Sequence, residues 1–204
     1  MARKPQQTRA KATVDAIIEA SFIAVAERGT ASTTTRYIAE IAGISVGSLY
    51  EYFANKEAIF DAMGERFVEE TVGLIQPLLP QLVRLPIGEA VYRLLMEFGF
   101  LLRKNDERLL KCAREAIQHQ FQHHLEKVTR LLQELVMQYA MNNPEMLRLP
   151  RMSTMSYIFI NGGIFAVVRH LSDPNPPISY EELAQGLADM VDHYVKQELL
   201  AGAA

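Results

Sequence analysis

Three groups of side chains in this sequence have the types and spacing for chemistry. Gly43-Ile44-Ser45-Val46-Gly47 matches the G-x-S-x-G pattern in which a sharp strand-to-helix turn exposes a nucleophilic serine. Glu115, His119 and His123 stand at successive four-residue steps, with His124 beside them. A continuous helix would bring that carboxylate and two imidazoles to one face as candidate metal ligands. The third group, from Thr33 to Lys56, gathers hydroxyls, Arg36, tyrosines and a lysine around short helical segments. Hydroxyls, cations and helix N-terminal amides are the groups that bind phosphate oxygens, and arginine alone among them binds guanine through two parallel hydrogen bonds.

The elements around each group decide between them. A nucleophile elbow needs a strand before its serine, and an acid and then a histidine later in the chain. The residues before Ser45 read as helix, so a helix cap explains this serine better and a hydrolase at Ser45 is a remote alternative. The Glu115, His119 and His123 set would need further ligands from another helix and groups to orient them, and none is identifiable. A polar helix junction is the favoured reading, ahead of a polar anchor in a ligand pocket and of a metal site. No catalytic residue, metal or cofactor is assigned.

Apolar residues recur with helical period almost throughout. Val14, Ile17, Ile18, Phe22 and Val25 make the stripe of a first helix over 13–28, stopped by Gly29, the residue best able to turn left-handed after a helix end. Residues 32–35 offer hydroxyl N-caps to a second helix that buries Ile38, Ile41 and Ala42. Gly43 ends it, and Ser45 caps a third helix burying Val46, Leu49 and Phe53. The tight turn Ala42-Gly43-Ile44-Ser45 is the kind that joins the paired helices of a helix-turn-helix. There the second helix of the pair points its N-terminus into a major groove about 12 Å wide. Gly47, Ser48, Tyr50, Glu51 and Tyr52 then face away from the core.

A fourth helix runs from 55 or 56 to about 74, after which Pro77, Pro80 and Pro86 break the chain as a join between units would. Helices resume at 87–103, 106–117, 120–141 and 151–171. Ser179 and Glu182 form a capping box for a last one. With no alternating strand pattern, the fold class is all-α: a three-helix head over 1–55 and a helical body over 56–204, about nine helices in total.

The net charge of −3 is unevenly spread: residues 1–60 sum to +1 and the remainder to −4. Arg3, Lys4, Arg9 and Lys11 face no acid in the first eleven residues, a basic arm suited to phosphate on a body that is not. Cys112 is the only cysteine, so no internal disulfide forms. No apolar run follows the basic N-terminus, and none approaches the roughly 20 residues of a membrane span. A cytoplasmic protein without membrane contact is expected.

The string from Gly29 to Glu57 resembles the signature of the tetracycline-repressor (TetR) family. The resemblance is carried by Thr33, Ile38-Ala39, Ala42-Gly43-Ile44-Ser45, Gly47, Leu49-Tyr50, Tyr52-Phe53 and Lys56-Glu57, and covers about the first quarter of the chain. It implies a sequence-specific DNA-binding transcription regulator, a repressor by the family's usual mode, released from palindromic double-stranded operator DNA by a small molecule. In that frame Thr34, Thr35 and Arg36 open the second helix against phosphates and sometimes a base. Ser45, Val46, Gly47 and Ser48 lie in the groove, Tyr50 and Tyr52 brace the sugar-phosphate backbone, and Lys56 neutralises a phosphate. Tyr37 stands where a charged residue is common.

The body is rich in methionine and phenylalanine, and bundled helices of that kind can enclose an apolar cavity. Candidate effector contacts are Met96, Phe100, Phe121 and Phe165, with Arg103, His124 and Asn161 as orienting polar groups. An apolar or aromatic effector, not further identified, is preferred. The candidate homodimer interface comprises Phe159, Gly162, Gly163 and Ala166 on one helix and Leu183, Leu187, Met190 and Tyr194 on the last. These resemble the family's paired helices, which form a four-helix bundle across a two-fold axis. The alternative is a DNA-binding dimer with no effector, its body serving dimerisation or protein contact.

Overall fold

The structure is a computed structural model that describes residues 4–104, 107–115, 117 and 122–201, with side chains from 8 onward and, in the second half, from 126. Among these residues it contains helices and no strand. The helices are α1 (Lys4–Ser32), α2 (Thr35–Ile41), α3 (Val46–Tyr50), α4 (Lys56–Leu82), α5 (Ile87–Arg103), α6 (Arg108–Glu115), α7 (Gln122–Asn142), α8 (Met152–Leu171) and α9 (Tyr180–Ala201). A short 3-10 turn, Pro144–Arg148, follows α7. The all-α expectation holds.

Two boundaries differ from the sequence reading, each for a local reason. Helix α1 is already under way at Lys4, so the basic arm from Lys4 onward is helical; at Gly29 (φ 71°) the helix breaks as expected, and a short helical turn follows to Ser32. Helix α4 runs through Pro77 and Pro80 to Leu82. A proline inside a helix leaves the carbonyl four residues earlier without its donor. Here those carbonyls belong to Gly73 and Gln76, both exposed, as are the two prolines, so water can serve the freed oxygens. The chain turns only at Pro86, the N-cap position of α5.

No break in packing separates head from body. One core contains Ile17, Phe22, Ile38, Leu49 and Ile59 of the first four helices together with Leu102, Leu109, Val128 and Val167. A second, smaller core at the far end of α4 gathers Leu82, Tyr139, Met146 and Val195. Tyr139 donates to Leu85 O (2.8 Å) there, and Asn143 to Val83 O (3.0 Å). The capping box of α9 forms as expected: Ser179 N–H donates to Glu182 Oε2 (2.7 Å) and Glu182 N–H to Ser179 Oγ (3.1 Å). Cys112 is buried in the first core, and desolvation pushes its thiol up to about 12, which makes it inert. No helix among the described residues is long and apolar enough to cross a membrane.

Candidate nucleic-acid interface

Three side-chain caps shape the head. Thr34 leaves extended backbone (φ −118°) and its hydroxyl accepts from Tyr37 N–H (3.2 Å), opening α2. Ser45 opens α3, accepting from Ser48 N–H (3.0 Å) and sharing a bond with the Ser48 hydroxyl (2.9 Å). Asn55 opens α4 by accepting from Ala58 N–H (2.8 Å). Such caps are worth about 1 kcal/mol each, and three in so short a stretch fix where each helix begins. Between α2 and α3, Gly43 takes φ 69° with open space around its missing side chain, so backbone conformation is the reason for glycine there. Ile38 and Leu49 are fully buried beneath the turn.

What remains outside is one continuous polar face. Thr34, Arg36, Ser45, Gly47, Tyr50, Glu51 and Tyr52 are exposed, and Thr35, Val46 and Ser48 half-buried. The Thr35 and Tyr50 hydroxyls bond to each other at 3.2 Å, joining the front of α2 to the back of α3. Arg36 extends from this face with no protein partner among the described residues. Lys56 sits back from it: its ammonium lies 3.5 Å from Thr30 O and 5.4 Å from the Phe60 ring centre. The sequence reading missed the role of Tyr37. Its ring lies under the Arg28 guanidinium (3.3 Å to the centroid) and its hydroxyl donates to Glu27, tying α2 to α1. That bond to Glu27 raises the phenol above its ordinary range.

The competing chemistries find a different geometry. Ser45 follows helix α2 and spends its hydroxyl as a cap, and the elbow reading finds no strand before it among the described residues. For Glu115, His119 and His123 the favoured expectation is a polar helix junction, with a shared metal-binding face only if the helix is continuous. Helix α6 is described as far as Glu115, whose carboxylate turns to Thr30 in the head. His119 and the side chains of His123 and His124 lie outside the described residues. No cluster of metal-ligating side chains occurs among those described.

In the body, a cavity of about 180 Å³ is walled by α4, α5, α7, α8 and α9. Ile75, Leu94, Phe98, Leu132, Phe159 and Ile164 form much of its surface, and Thr71, Ser156 and Tyr194 are its hydroxyl-bearing residues. Each of those hydroxyls already donates to a backbone carbonyl, Phe67 O (2.9 Å), Met152 O (2.7 Å) and Pro150 O (2.9 Å). None of the expected effector contacts among the described residues lines this cavity. Phe100 and Phe165 are exposed, 65% and 56%. Arg103 packs over the Tyr180 ring, Met96 packs against the first core, and Asn161 donates to Tyr157 O in its own helix. Phe121 and the His124 side chain lie outside the described residues.

The expected interface residues also divide. Phe159, Gly163, Leu187 and Tyr194 face the cavity, Phe159 and Tyr194 meeting edge to face at 5.8 Å. Leu183 packs on the first core, and Ala166 is half-buried. Gly162 and Met190 face out. Beside them α8 exposes Tyr157 and Ile158 as well as Phe165, a stripe the sequence reading assigned to other roles or passed over.

Against known proteins, residues 17–63 match the family described as "Bacterial regulatory proteins, tetR family". A 48-residue segment is 46% identical to the HTH-type transcriptional repressor KstR2 of Rhodococcus jostii, covering 24% of each chain. The match therefore spans about a quarter of that relative's length. Among solved structures, the fatty acid degradation regulator FadR of Bacillus halodurans superposes with a TM-score of 0.68 at 19% identity, covering 87% of this chain and 96% of that one. The FadR regulator of Bacillus subtilis, solved in complex with stearoyl-CoA, gives 0.67 at 18%, covering 86% and 96%. At these identities the likeness is one of fold.

Proposed function

We propose, from the premise that residues 17–63 are a tetR-family segment, that this chain is a sequence-specific DNA-binding transcriptional repressor. It acts as a homodimer on palindromic operator DNA and is released by a small molecule held in the body. One observation carries the reading: the capped N-terminus of α3 stands at the centre of an exposed face with Arg36 and five hydroxyl side chains around it. A helix start so presented offers free amides and hydroxyls to phosphate and small side chains to base edges. The proposed head spans 1–55 and the body 56–204, sharing one core.

The test is selection of duplex from random or genomic fragments, followed by titration. Wild type should bind a selected duplex at least a thousandfold more tightly than random duplex at physiological salt. Arg36→Ala should relax preference at one position, by about 1–3 kcal/mol if Arg36 contacts guanine through two bonds. Lys56→Ala should weaken binding to all duplexes and lower the salt slope by about 1. Equal affinity of wild type for selected and random duplex would end the reading.

The wall chemistry bears on the effector. A cavity without a charged side chain, whose hydroxyl hydrogens are all committed, offers a carboxylate or phosphate no compensation for lost water. It suits hydrocarbon, with any polar head left at the mouth. An acyl thioester of coenzyme A divides its chemistry in that way, and a neighbour of the same fold is solved with stearoyl-CoA; at about 180 Å³ the cavity takes only the end of so long a chain unless its walls part. Helix α4 connects this cavity to the head, from Lys56 to Thr71 and Ile75, a rise of about 22 to 28 Å at about 1.5 Å per residue. Stearoyl-CoA should raise the melting temperature and weaken operator binding, and operator should weaken stearoyl-CoA binding by the same factor. Free coenzyme A should do neither. A melting temperature indifferent to a panel of acyl thioesters would favour the second reading, a DNA-binding dimer with no effector.

A further inference from the structure

We infer that Glu115, the last residue of α6, is a positioning residue for the reading head: its carboxylate holds the α1–α2 junction and ties the pose of α2 and α3 to the packing of the body. The inference rests on the DNA-binding reading of the head. Thr30 follows the kink at Gly29 and is 5% exposed. Its amide and its hydroxyl both donate to Glu115 Oε2, at 3.0 and 2.9 Å, across 85 residues of sequence. Its carbonyl faces the Lys56 ammonium, and the Gly29 carbonyl accepts from Thr33 Oγ1 (2.7 Å). Every polar group of Thr30 is thus held by another element, two of the three by one carboxylate. Bonds to an ionised acceptor are shorter and stronger than neutral ones, so this contact outweighs the others at the junction.

Helix α6 is placed to carry such a constraint. At its other end Arg108 pairs with Glu19 of α1 and reaches Glu70 of α4 at 3.5 Å, its guanidinium lying 5.4 Å from the Phe22 ring centre. Between the two charged ends, Leu109, Leu110, Cys112 and Ala113 are buried. The helix packs on α1, and also on α5 and α8, both of which wall the cavity. It is a short rod fastened at both ends to the helices that carry the head, resting on two walls of the body. Any repacking of α5 or α8 that shifts α6 along its axis must move or break the Glu115 to Thr30 bonds. This route runs beside α4 and meets it twice, at Thr30, whose carbonyl Lys56 faces, and at Arg108, which reaches Glu70.

The experiment compares wild type, Glu115→Gln, Glu115→Ala and Thr30→Val on the selected duplex and on a random duplex of equal length, with amide hydrogen exchange on the free proteins. Glu115→Ala should lose at least tenfold on the selected duplex and less than twofold on random duplex, because phosphate contact tolerates a tilted head whereas base contact does not. Exchange should quicken over 29–42 and stay unchanged in α9. Glu115→Gln keeps one oxygen able to accept and should fall between. Thr30→Val removes one of the two bonds, keeps the fold if Glu115→Ala does not, and should lose about threefold. Wild-type affinity in both Glu115→Ala and Thr30→Val overturns the inference. So does an exchange increase spread evenly over the chain, which would mark Glu115 as a general stabiliser. Should wild type select no duplex, the DNA reading fails, and the exchange pattern alone decides whether Glu115 holds the junction.

Discussion

Ile158→Glu with Phe165→Glu should yield a folded monomer that binds the selected palindrome at least a hundredfold more weakly than wild type. Both side chains stand out from α8, 52% and 56% exposed, two turns apart, with Gly162 between them. A stripe of large apolar groups on a helix otherwise packed into a core is the surface a soluble protein covers with a partner. Glycine at its centre permits a second backbone to come close. In a two-fold contact each glutamate appears twice and is buried among apolar groups without a counter-ion, which costs several kcal/mol per interface. Loss of the dimer leaves one head on one half-site, and forfeits the roughly 10²–10⁴-fold gain of binding two linked sites together. Sedimentation reads the mass and titration the affinity. Phe100→Glu is the control: that ring is 65% exposed on α5 and its replacement should change neither. A double variant that still sediments as a dimer would remove this face from the interface.

The head was legible in the sequence because its signals are local. A cap acts on an amide three residues away, and a left-handed turn needs glycine at one position, so Thr34, Ser45, Gly29 and Gly43 declare themselves within a few neighbours. The body offers no such signals. Helix α8 is apolar around most of its circumference, so its period does not say which side meets the cavity and which meets solvent. Phe159 and Gly163 face inward while Ile158 and Phe165, of the same chemical types, face outward. Residue type alone therefore does not tell that Phe100 and Phe165 are exposed while Phe98 and Phe159 line the cavity. The prolines of α4 misled for a related reason. Their cost depends on whether the freed carbonyls can reach water, a property of the fold and not of the dipeptide. Glu115 was read with its sequence neighbours His119 and His123, whereas its partner lies 85 residues away.

At the seam between α5 and α9, Gly99→Ala should destabilise the protein by about 1–3 kcal/mol, the usual cost of overpacking a filled core. At roughly 2–4 °C per kcal/mol for a chain of this size, the melting temperature should fall by about 2–12 °C. A methyl group at Gly99 would sit 2.3 Å from two ring carbons of Tyr180, a distance no pair of carbons tolerates. The ring is not free to yield. It is 4% exposed, its hydroxyl donates to Leu95 O, Arg103 lies 5.0 Å from its centre and the His170 ring 5.9 Å. Burial pushes this phenol up to about 12, so folding keeps it neutral where the unfolded chain, with an ordinary value near 10, would ionise. Its contribution to stability is complete below pH 10 and is lost as the pH rises from 10 towards 12. Two readouts then separate displacement of Tyr180 from a general loss of packing. In Gly99→Ala one tyrosine should titrate near 10 by ultraviolet absorbance where wild type shows it near 12. In a Tyr180→Leu background the same substitution should cost well under half as much, since the clashing atoms are gone and coupling between touching residues is what a double-mutant cycle measures. An equal cost in both backgrounds would locate the strain elsewhere.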